Sequence, residues 1–212
     1  LKRHPTAHLK VIGSSKIYNE NYEVGPLGIA DKIYEERHII PYLCDFDGKL
    51  LPSVNFLGAL GNEKYAHLTE SLISIPNPTG QTETCCVSAI EMQACGTAVV
   101  TGAYYALLDT VKHQKTGLLG RGEKALANNI CYLLDNPEIA IEMGIQGKKR
   151  AERKYDFEVV SENWKKLFNS TQEAHLWKPR HKFEHPTYHR KWLRIINSLL
   201  RKSVGKIIYW PS

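Results

Sequence analysis

Short apolar segments alternate along the chain with stretches in which apolar side chains recur every three or four positions. The apolar segments predict five β-strands, at residues 9–13, 54–58, 72–75, 98–101 and 117–119. The other stretches predict helices at about 29–43, 62–71, 84–95, 123–134, 137–154 and 157–168. Because strands and helices take turns, we expect a Rossmann-like α/β fold, an open doubly wound sheet of parallel strands with crossover helices.

The composition is that of a folded domain. The chain has 212 residues, of which 42% are hydrophobic, enough for one sizeable domain plus an appendage. No apolar run approaches the roughly 20 residues that span a bilayer, and no secretory signal is visible. Five cysteines without a regular framework favour reduced thiols. We therefore predict a cytoplasmic protein, soluble or peripherally attached to a membrane.

Charge divides the chain into two parts. Residues 1–170 carry 19 Lys and Arg against 20 Asp and Glu, whereas residues 171–212 carry 9 against 2. The asymmetry predicts a domain over 1–170 and a basic tail over 171–212. The near-neutral body argues against a nucleic-acid partner, because binding a phosphate backbone needs a positive face.

The tail predicts a basic amphipathic helix from about residue 189 to 210, interrupted at Gly205. Apolar side chains recur there at spacings of three and four, with Lys and Arg between them. Such a helix can lie on an anionic membrane surface. A helix docked on another part of a longer protein is the alternative.

Two glutamates, Glu83 and Glu91, bracket the start of the helix predicted at 84–95. The preceding segment 76–82 contains two prolines and a glycine, which predicts an irregular loop that exposes the first helical turn. Such a helix start binds phosphate or carboxylate groups, with Glu83 on its lip and Glu91 about two turns inside. The alternative is structural, since glutamate favours helices and their first turns.

The predicted sheet also indicates a ligand site near Glu83 and Glu91. Ligands of doubly wound sheets bind outside the carboxyl ends of the strands. Those ends carry the loops at 13–15, 58–60, 76–82 and 101–103. Glu83 and Glu91 lie beside the crevice that these loops should form, which favours a functional role for the pair.

The segment from Asn77 to Thr101 resembles the E-x7-E signature of retaining family 4 glycosyltransferases. The residues 54–58, 116–119 and 133–138, and the pair Met143-Gly144, are similar to other landmarks of that family. The likeness extends over about residues 8–168. It implies the C-terminal, donor-binding half of a GT-B enzyme, with an acceptor-binding half upstream of Leu1.

The resemblance also implies roles for particular residues. Glu91 would bind the ribose hydroxyls of a nucleotide sugar, Glu83 would contact the transferred sugar as the catalytic carboxylate, and Leu60 would lie against the base. The donor-binding set also includes Thr84 and the three residues after it, Cys85, Cys86 and Val87, whose backbone N–H groups would meet the sugar or diphosphate. Neither a cofactor nor a metal is implied, since in GT-B enzymes cationic side chains and helix dipoles stabilise the departing diphosphate.

The sequence departs from the family pattern in places. Tyr105-Ala106 stands where a glycine pair is frequent, and Asp109 where a glutamate is usual. The Arg and Lys that grip the diphosphate would precede Leu1, so we expect this chain alone to bind its donor weakly and to be inactive. The prediction is a hexosyltransferase domain using a nucleoside diphosphate sugar and a glycan or lipid-linked acceptor; a catalytically silent nucleotide-sugar or protein-binding module is the alternative, as is a membrane-surface binder acting through its tail.

Overall fold

The computed structural model describes residues 3–13, 23–78 and 83–173. The chain divides into two compact units, Leu1–Ser161 and Glu162–Ser212. The predicted tail helix lies outside the described residues and stays a prediction, as does the domain boundary at 170. Within the described ranges, no helix combines the length and apolar character needed to cross a membrane.

All five predicted strands are present and pair in parallel. They form two sheets, one of two strands in the order β1-β2 and one of three in the order β3-β4-β5. Their bounds are Leu9–Ile12 (β1), Val54–Gly58 (β2), Ile73–Ser74 (β3), Ala98–Gly102 (β4) and Gly117–Gly120 (β5). The predicted Rossmann-like α/β fold is confirmed, although the strands form two separately paired groups instead of one continuous sheet.

Helices connect and flank these strands. In chain order they are α1 (Lys32–Tyr34), a π-helical segment (Glu35–Ile39), α2 (Ile40–Leu43), α3 (Lys64–Thr69), α4 (Val87–Ala94), α5 (Leu107–Thr110), α6 (Gly122–Asp135), α7 (Pro137–Tyr155) and α8 (Phe157–Glu173). The single helix predicted at 29–43 is thus interrupted. Pro41 explains the interruption, because it has no N–H for the helical ladder, and the N–H of Ile40 just before it reaches back five residues to the carbonyl of Glu35.

A buried carboxylate orders the loop that precedes α1. Glu35 is fully buried and accepts hydrogen bonds from the backbone N–H groups of Leu27, Ile29 and Ala30 at 2.6–2.7 Å. A Cβ at Gly25 would come within 2.2 Å of its Oε2. The loop therefore folds around the carboxylate, and the missing side chain of Gly25 makes room for it.

The sheet β3-β4-β5 carries a core on each face, because successive side chains of β4 point to opposite sides. Ala98 and Val100 pack with side chains of α6 and α7, whereas Val99 packs with side chains of α4 and α5. Every residue of β4 is buried. Helices on both faces are the arrangement expected of a parallel sheet, and they hold α4 firmly against β4.

A close approach between α7 and the turn before β4 fixes the other end of α4. Gly144 in α7 lies so near this turn that an added Cβ would come within 2.0 Å of the carbonyl oxygen of Gly96. Gly147, one turn later, lies against the side chain of Gln93 in α4. The two glycines thus let α7 pack directly on α4, the helix that carries Glu91.

Candidate functional site

The helix α4 begins at Val87, three residues later than predicted. Cys86 precedes it in a left-handed conformation, with φ of 56°, so the backbone cannot be helical there. The side chain of Cys86 is 3% exposed and belongs to the core beneath the helix. The expectation that the helix includes residues 84–86 was therefore wrong, and Glu83 lies in the approach to the helix instead of at its lip.

The Glu83 carboxylate is held by hydrogen bonds to both of its oxygens. Oε1 accepts the backbone N–H of Cys86 at 3.2 Å, and Oε2 accepts the side-chain amide of Asn77 at 3.0 Å. The backbone N–H of Ala106 donates to the Glu83 carbonyl at 3.3 Å. Segments after β3 and β4 thus meet at Glu83 and fix the direction of its carboxylate.

Left-handed backbone conformations cluster around this carboxylate. Asn77, Cys86 and Tyr105 have φ of 38°, 56° and 47°. Such values are uncommon for residues other than glycine and are maintained by surrounding contacts. One of those contacts is made by Thr101, whose fully buried hydroxyl donates to the carbonyl of Pro76 at 2.5 Å. The described residues next to the carboxyl ends of β3 and β4 are therefore constrained by their contacts.

Glu91 is the fifth residue of α4, about one turn inside the helix, and not the two turns expected. The Nζ of Lys64 lies 2.9 Å from each of its carboxylate oxygens, and the hydroxyl of Tyr65 donates to Oε1 at 3.1 Å. The side chains of Lys64 and Glu91 are each 28% exposed. The hydrogen bond to Glu91 raises the pKa of Lys64 above its usual value of 10.5.

The first turn of α4 presents backbone donors. Among the residues that the structure describes, the N–H groups of Val87 and Ser88 have no acceptor. Two unpaired donors at a helix start, together with the helix dipole, make a favourable environment for an anion. Thr84 and Cys85 are exposed just before this turn, and the carbonyl of Cys85 accepts the hydroxyl of Thr110 at 2.8 Å.

The remaining predicted site residue, Leu60, is half-buried in the connection from β2 to α3. In the part of the chain that the structure describes, three further residues contact the predicted carboxylates: Lys64 and Tyr65, which bind Glu91, and Asn77, which binds Glu83. Nothing in the local sequence links Lys64 to Glu91, because they are 27 residues apart and meet only through the fold. The proximity of Asn77 to Glu83 could have been inferred from the loop that joins them.

Sequence comparison gives one family match. Residues 48–150 match the family model described as Glycosyl transferases group 1. The matched segment contains β2 to β5, both glutamates and Gly144. Comparison with curated proteins gave no match.

Several solved structures share this fold. HepE from Anabaena, solved in complex with UDP-glucose, is 18% identical with a TM-score of 0.61 over 78% of this chain and 42% of its own. A sucrose-phosphate synthase from Thermosynechococcus elongatus is 26% identical with a TM-score of 0.50 over 67% of this chain and 33% of its own. A glycosyltransferase from Rickettsia africae is 14% identical with a TM-score of 0.58 over 77% of this chain and 40% of its own.

This chain therefore spans less than half the length of these three solved structures. The alignment with HepE shows the fold that the sequence predicted, a Rossmann-like domain of the kind found in GT-B glycosyltransferases. The family match and the shared architecture together support a glycosyl transferases group 1 domain of GT-B fold within this chain.

Proposed function

We propose that this chain is the donor-binding domain of a retaining family 4 glycosyltransferase that transfers a hexose from a nucleoside diphosphate sugar to a glycan or glycolipid. The observation that carries the proposal is the orientation of Glu83. Its two oxygens are fixed by Asn77 and Cys86 at the edge where β3 and β4 end. Ligands of doubly wound sheets bind at this edge.

The roles follow from the chemistry of each group. The Glu91 carboxylate accepts the O–H groups of a ribose diol, and the N–H groups of Val87 and Ser88 face the diphosphate. Glu83 contacts the hydroxyls of the transferred sugar. Leu60 provides an apolar surface for the base. Charge that develops on the departing diphosphate is then stabilised by donors already in place, without a metal ion.

Uridine diphosphate is the first nucleotide to test. HepE was solved with UDP-glucose, and TarM from S. aureus, 26% identical with a TM-score of 0.50, was solved as a mutant in complex with UDP. Because this chain spans under half of those proteins, we propose that an acceptor-binding domain completes the enzyme. Donor affinity of this chain alone is then low, and transfer by it alone is absent.

Titration calorimetry with UDP and UDP-glucose tests the proposal, with GDP and ADP as competitors for the base site. Glu91→Gln should lower the affinities for UDP and UDP-glucose by the same factor, because both ligands carry the ribose. Glu83→Gln should weaken only UDP-glucose, because only that ligand carries the sugar. If neither variant changes either affinity, the two carboxylates do not bind a donor and the proposal is wrong.

A catalytically silent binding module is the second candidate. The contact that favours it is the pairing of Glu91 with Lys64, which occupies both oxygens of the carboxylate intended for ribose. Absence of both UDP-glucose binding and transfer, measured with the acceptor-binding domain supplied, would support this module over the enzyme.

We also propose a cytoplasmic location with peripheral binding to anionic membrane through residues 171–212. The support is their sequence, with 9 Lys and Arg against 2 Asp and Glu and apolar side chains at helical spacing. Vesicle sedimentation with and without these residues tests the idea. Equal sedimentation of both forms on phosphatidylserine vesicles would leave docking on another domain as the role of the tail.

A further inference from the structure

The proposed ribose carboxylate already has an internal ligand. Lys64 donates to both oxygens of Glu91 at 2.9 Å, and Tyr65 donates to Oε1 at 3.1 Å. Lys64 and Tyr65 are the first two residues of α3, a helix that follows β2. Of the described residues, only these two donate side-chain hydrogen bonds to Glu91.

The acceptor positions of the Glu91 carboxylate are almost fully occupied. An ionised carboxylate has about four lone-pair positions, two on each oxygen. Lys64 uses one on each oxygen, and Tyr65 uses the second on Oε1. One position is left, on Oε2, whereas a ribose diol donates two O–H groups. A diol therefore cannot be bound through both hydroxyls until Lys64 or Tyr65 withdraws.

We propose that Lys64 is an internal competitor of the donor nucleotide: its ammonium group occupies Glu91 in the free protein and leaves the carboxylate when the ribose diol binds. Lys64 thereby sets the affinity for nucleotides that carry both ribose hydroxyls. This inference rests on the proposed role of Glu91 and adds to it a residue that controls the occupancy of the site.

The geometry of Lys64 suits displacement. Its side chain is long, flexible and 28% exposed, so it can turn to solvent without opening the core. The helix does not depend on it for attachment, since a second ion pair already joins the end of α3 to β1, with Lys10 Nζ 3.1 Å from Glu70 Oε2. Because the Lys64–Glu91 pair is partly exposed, releasing it costs little.

A fixed positioning role for Lys64 predicts the opposite result. If Lys64 only orients Glu91, removing it loosens the carboxylate and weakens nucleotide binding. Loss of a positive charge also weakens the binding of any diphosphate ligand, because the electrostatic potential of the protein becomes less positive. A gain in affinity on removing Lys64 therefore cannot come from positioning or from net charge, and only release of the carboxylate explains it.

The test compares Lys64→Met with a matched control, Lys10→Met, by calorimetric titration of this chain with UDP and with 2′-deoxy-UDP. Lys10 is 32% exposed against 28% for Lys64 and pairs with Glu70 at the other end of α3. Its removal makes the same change in charge. We expect Lys64→Met to lower the Kd for UDP about fivefold, the effect of releasing a partly exposed pair. For 2′-deoxy-UDP, which needs a single acceptor, we expect a change below about twofold.

The possible results separate this inference from the proposed function. If Glu91→Gln abolishes UDP binding while Lys64→Met leaves it unchanged or weaker, competition is wrong and the function stands. If Glu91→Gln leaves the UDP affinity unchanged, both are wrong, and the same holds if neither wild type nor Lys64→Met binds UDP. If Lys64→Met binds UDP and wild type does not, competition by Lys64 is supported, because Lys64 then blocks the site completely. Lys64→Gln, a helix former of similar length, repeats the test should Lys64→Met fail to fold.

Discussion

The side-chain amide of Asn77 donates to Oε2 of Glu83 at 3.0 Å from a backbone whose φ is 38°. Asparagine is one of the few residues that adopt this left-handed conformation readily, and glycine adopts it at no steric cost. Asn77 therefore contributes in two ways: its backbone adopts the left-handed conformation, and its side-chain amide binds Glu83. The two contributions can be separated by substitution.

We predict that Asn77→Gly retains the loop and loses the orientation of Glu83. Affinity for UDP-glucose should fall about tenfold, the size of a lost hydrogen bond to a charged group, whereas affinity for UDP should stay within about twofold. Calorimetric titration with both ligands measures the difference. An equal loss for both ligands would show that the loop itself had changed, and would count against a specific role of Asn77 at the sugar.

Gly144→Ala should destabilise the domain by about 2–4 kcal/mol, because the new methyl group would overlap the backbone of Gly96 and backbone cannot move aside cheaply. Gly147→Ala is the matched control on the same helix. Its methyl group would approach the Gln93 Cγ at 3.2 Å, a contact that a side chain can relieve. We expect a change within about 1 kcal/mol there, since alanine also favours the helix. Urea unfolding of both variants measures the two losses in the free energy of unfolding. Equal losses would contradict the prediction.

Thr101→Val removes a fully buried hydroxyl that anchors the loop after β3 through the carbonyl of Pro76. We predict a loss of about 1–3 kcal/mol, because the carbonyl is left without this donor in a buried place. Thr69→Val is the control, since Thr69 is exposed and its hydroxyl donates to the carbonyl of Tyr65 in the same helix. Its cost should lie within about 0.5 kcal/mol. Thermal unfolding with several probes measures both, and a neutral Thr101→Val would refute the anchoring role.

Cys85 should be the thiol that reacts first with an alkylating reagent. It is exposed beside the start of α4, whereas Cys86 is buried and burial raises the pKa of both Cys44 and Cys95. A bound donor diphosphate at this helix start should slow the reaction of Cys85. Mass spectrometry of alkylated peptides, with and without UDP-glucose, tests this. Cys85→Ser should remove the fast phase, and its persistence would show that another thiol is responsible.

The competition by Lys64 should be independent of pH near neutrality. Its pKa is raised by the hydrogen bond to Glu91, so the pair is present below the unfolded value of 10.5 and is lost as pH rises through the folded value. The ratio of UDP affinities between Lys64→Met and wild type should thus stay constant from about pH 6 to pH 9 and approach one in more alkaline solution. Tyr65, Cys95 and Lys148 are the other titratable groups near the pair. If the ratio of UDP affinities changes between pH 6 and 9, a group other than Lys64 determines the affinity.

The elements of the fold were predicted well because hydrophobic periodicity reports local burial. The apolar run at 98–100 indicated a strand, and β4 is buried throughout. The short helix α5 was missed because four residues carry too little periodicity. The late start of α4 was missed because tertiary packing draws Cys86 into the core and holds it left-handed, which no local propensity indicates.

The candidate site was predictable only as far as its residues share one stretch of chain. Glu83 and Glu91 flank a single helix start, so spacing and the edge of the sheet were enough to select them. Lys64 reaches Glu91 from α3, and Ala106 reaches Glu83 from the segment after β4. Such contacts depend on how strands are ordered in space, which periodicity does not specify.

The separate pairing of the strands has a consequence for amide hydrogen exchange. No strand of the β1-β2 pair bonds to β3, β4 or β5 within the described residues, so each sheet can open and exchange its amides on its own. A nucleotide that contacts Leu60 after β2 and Glu91 in α4 would bridge the two groups and make them open together. Protection of amides in β1, a strand that carries none of the proposed ligand contacts, would then report occupancy of the donor site.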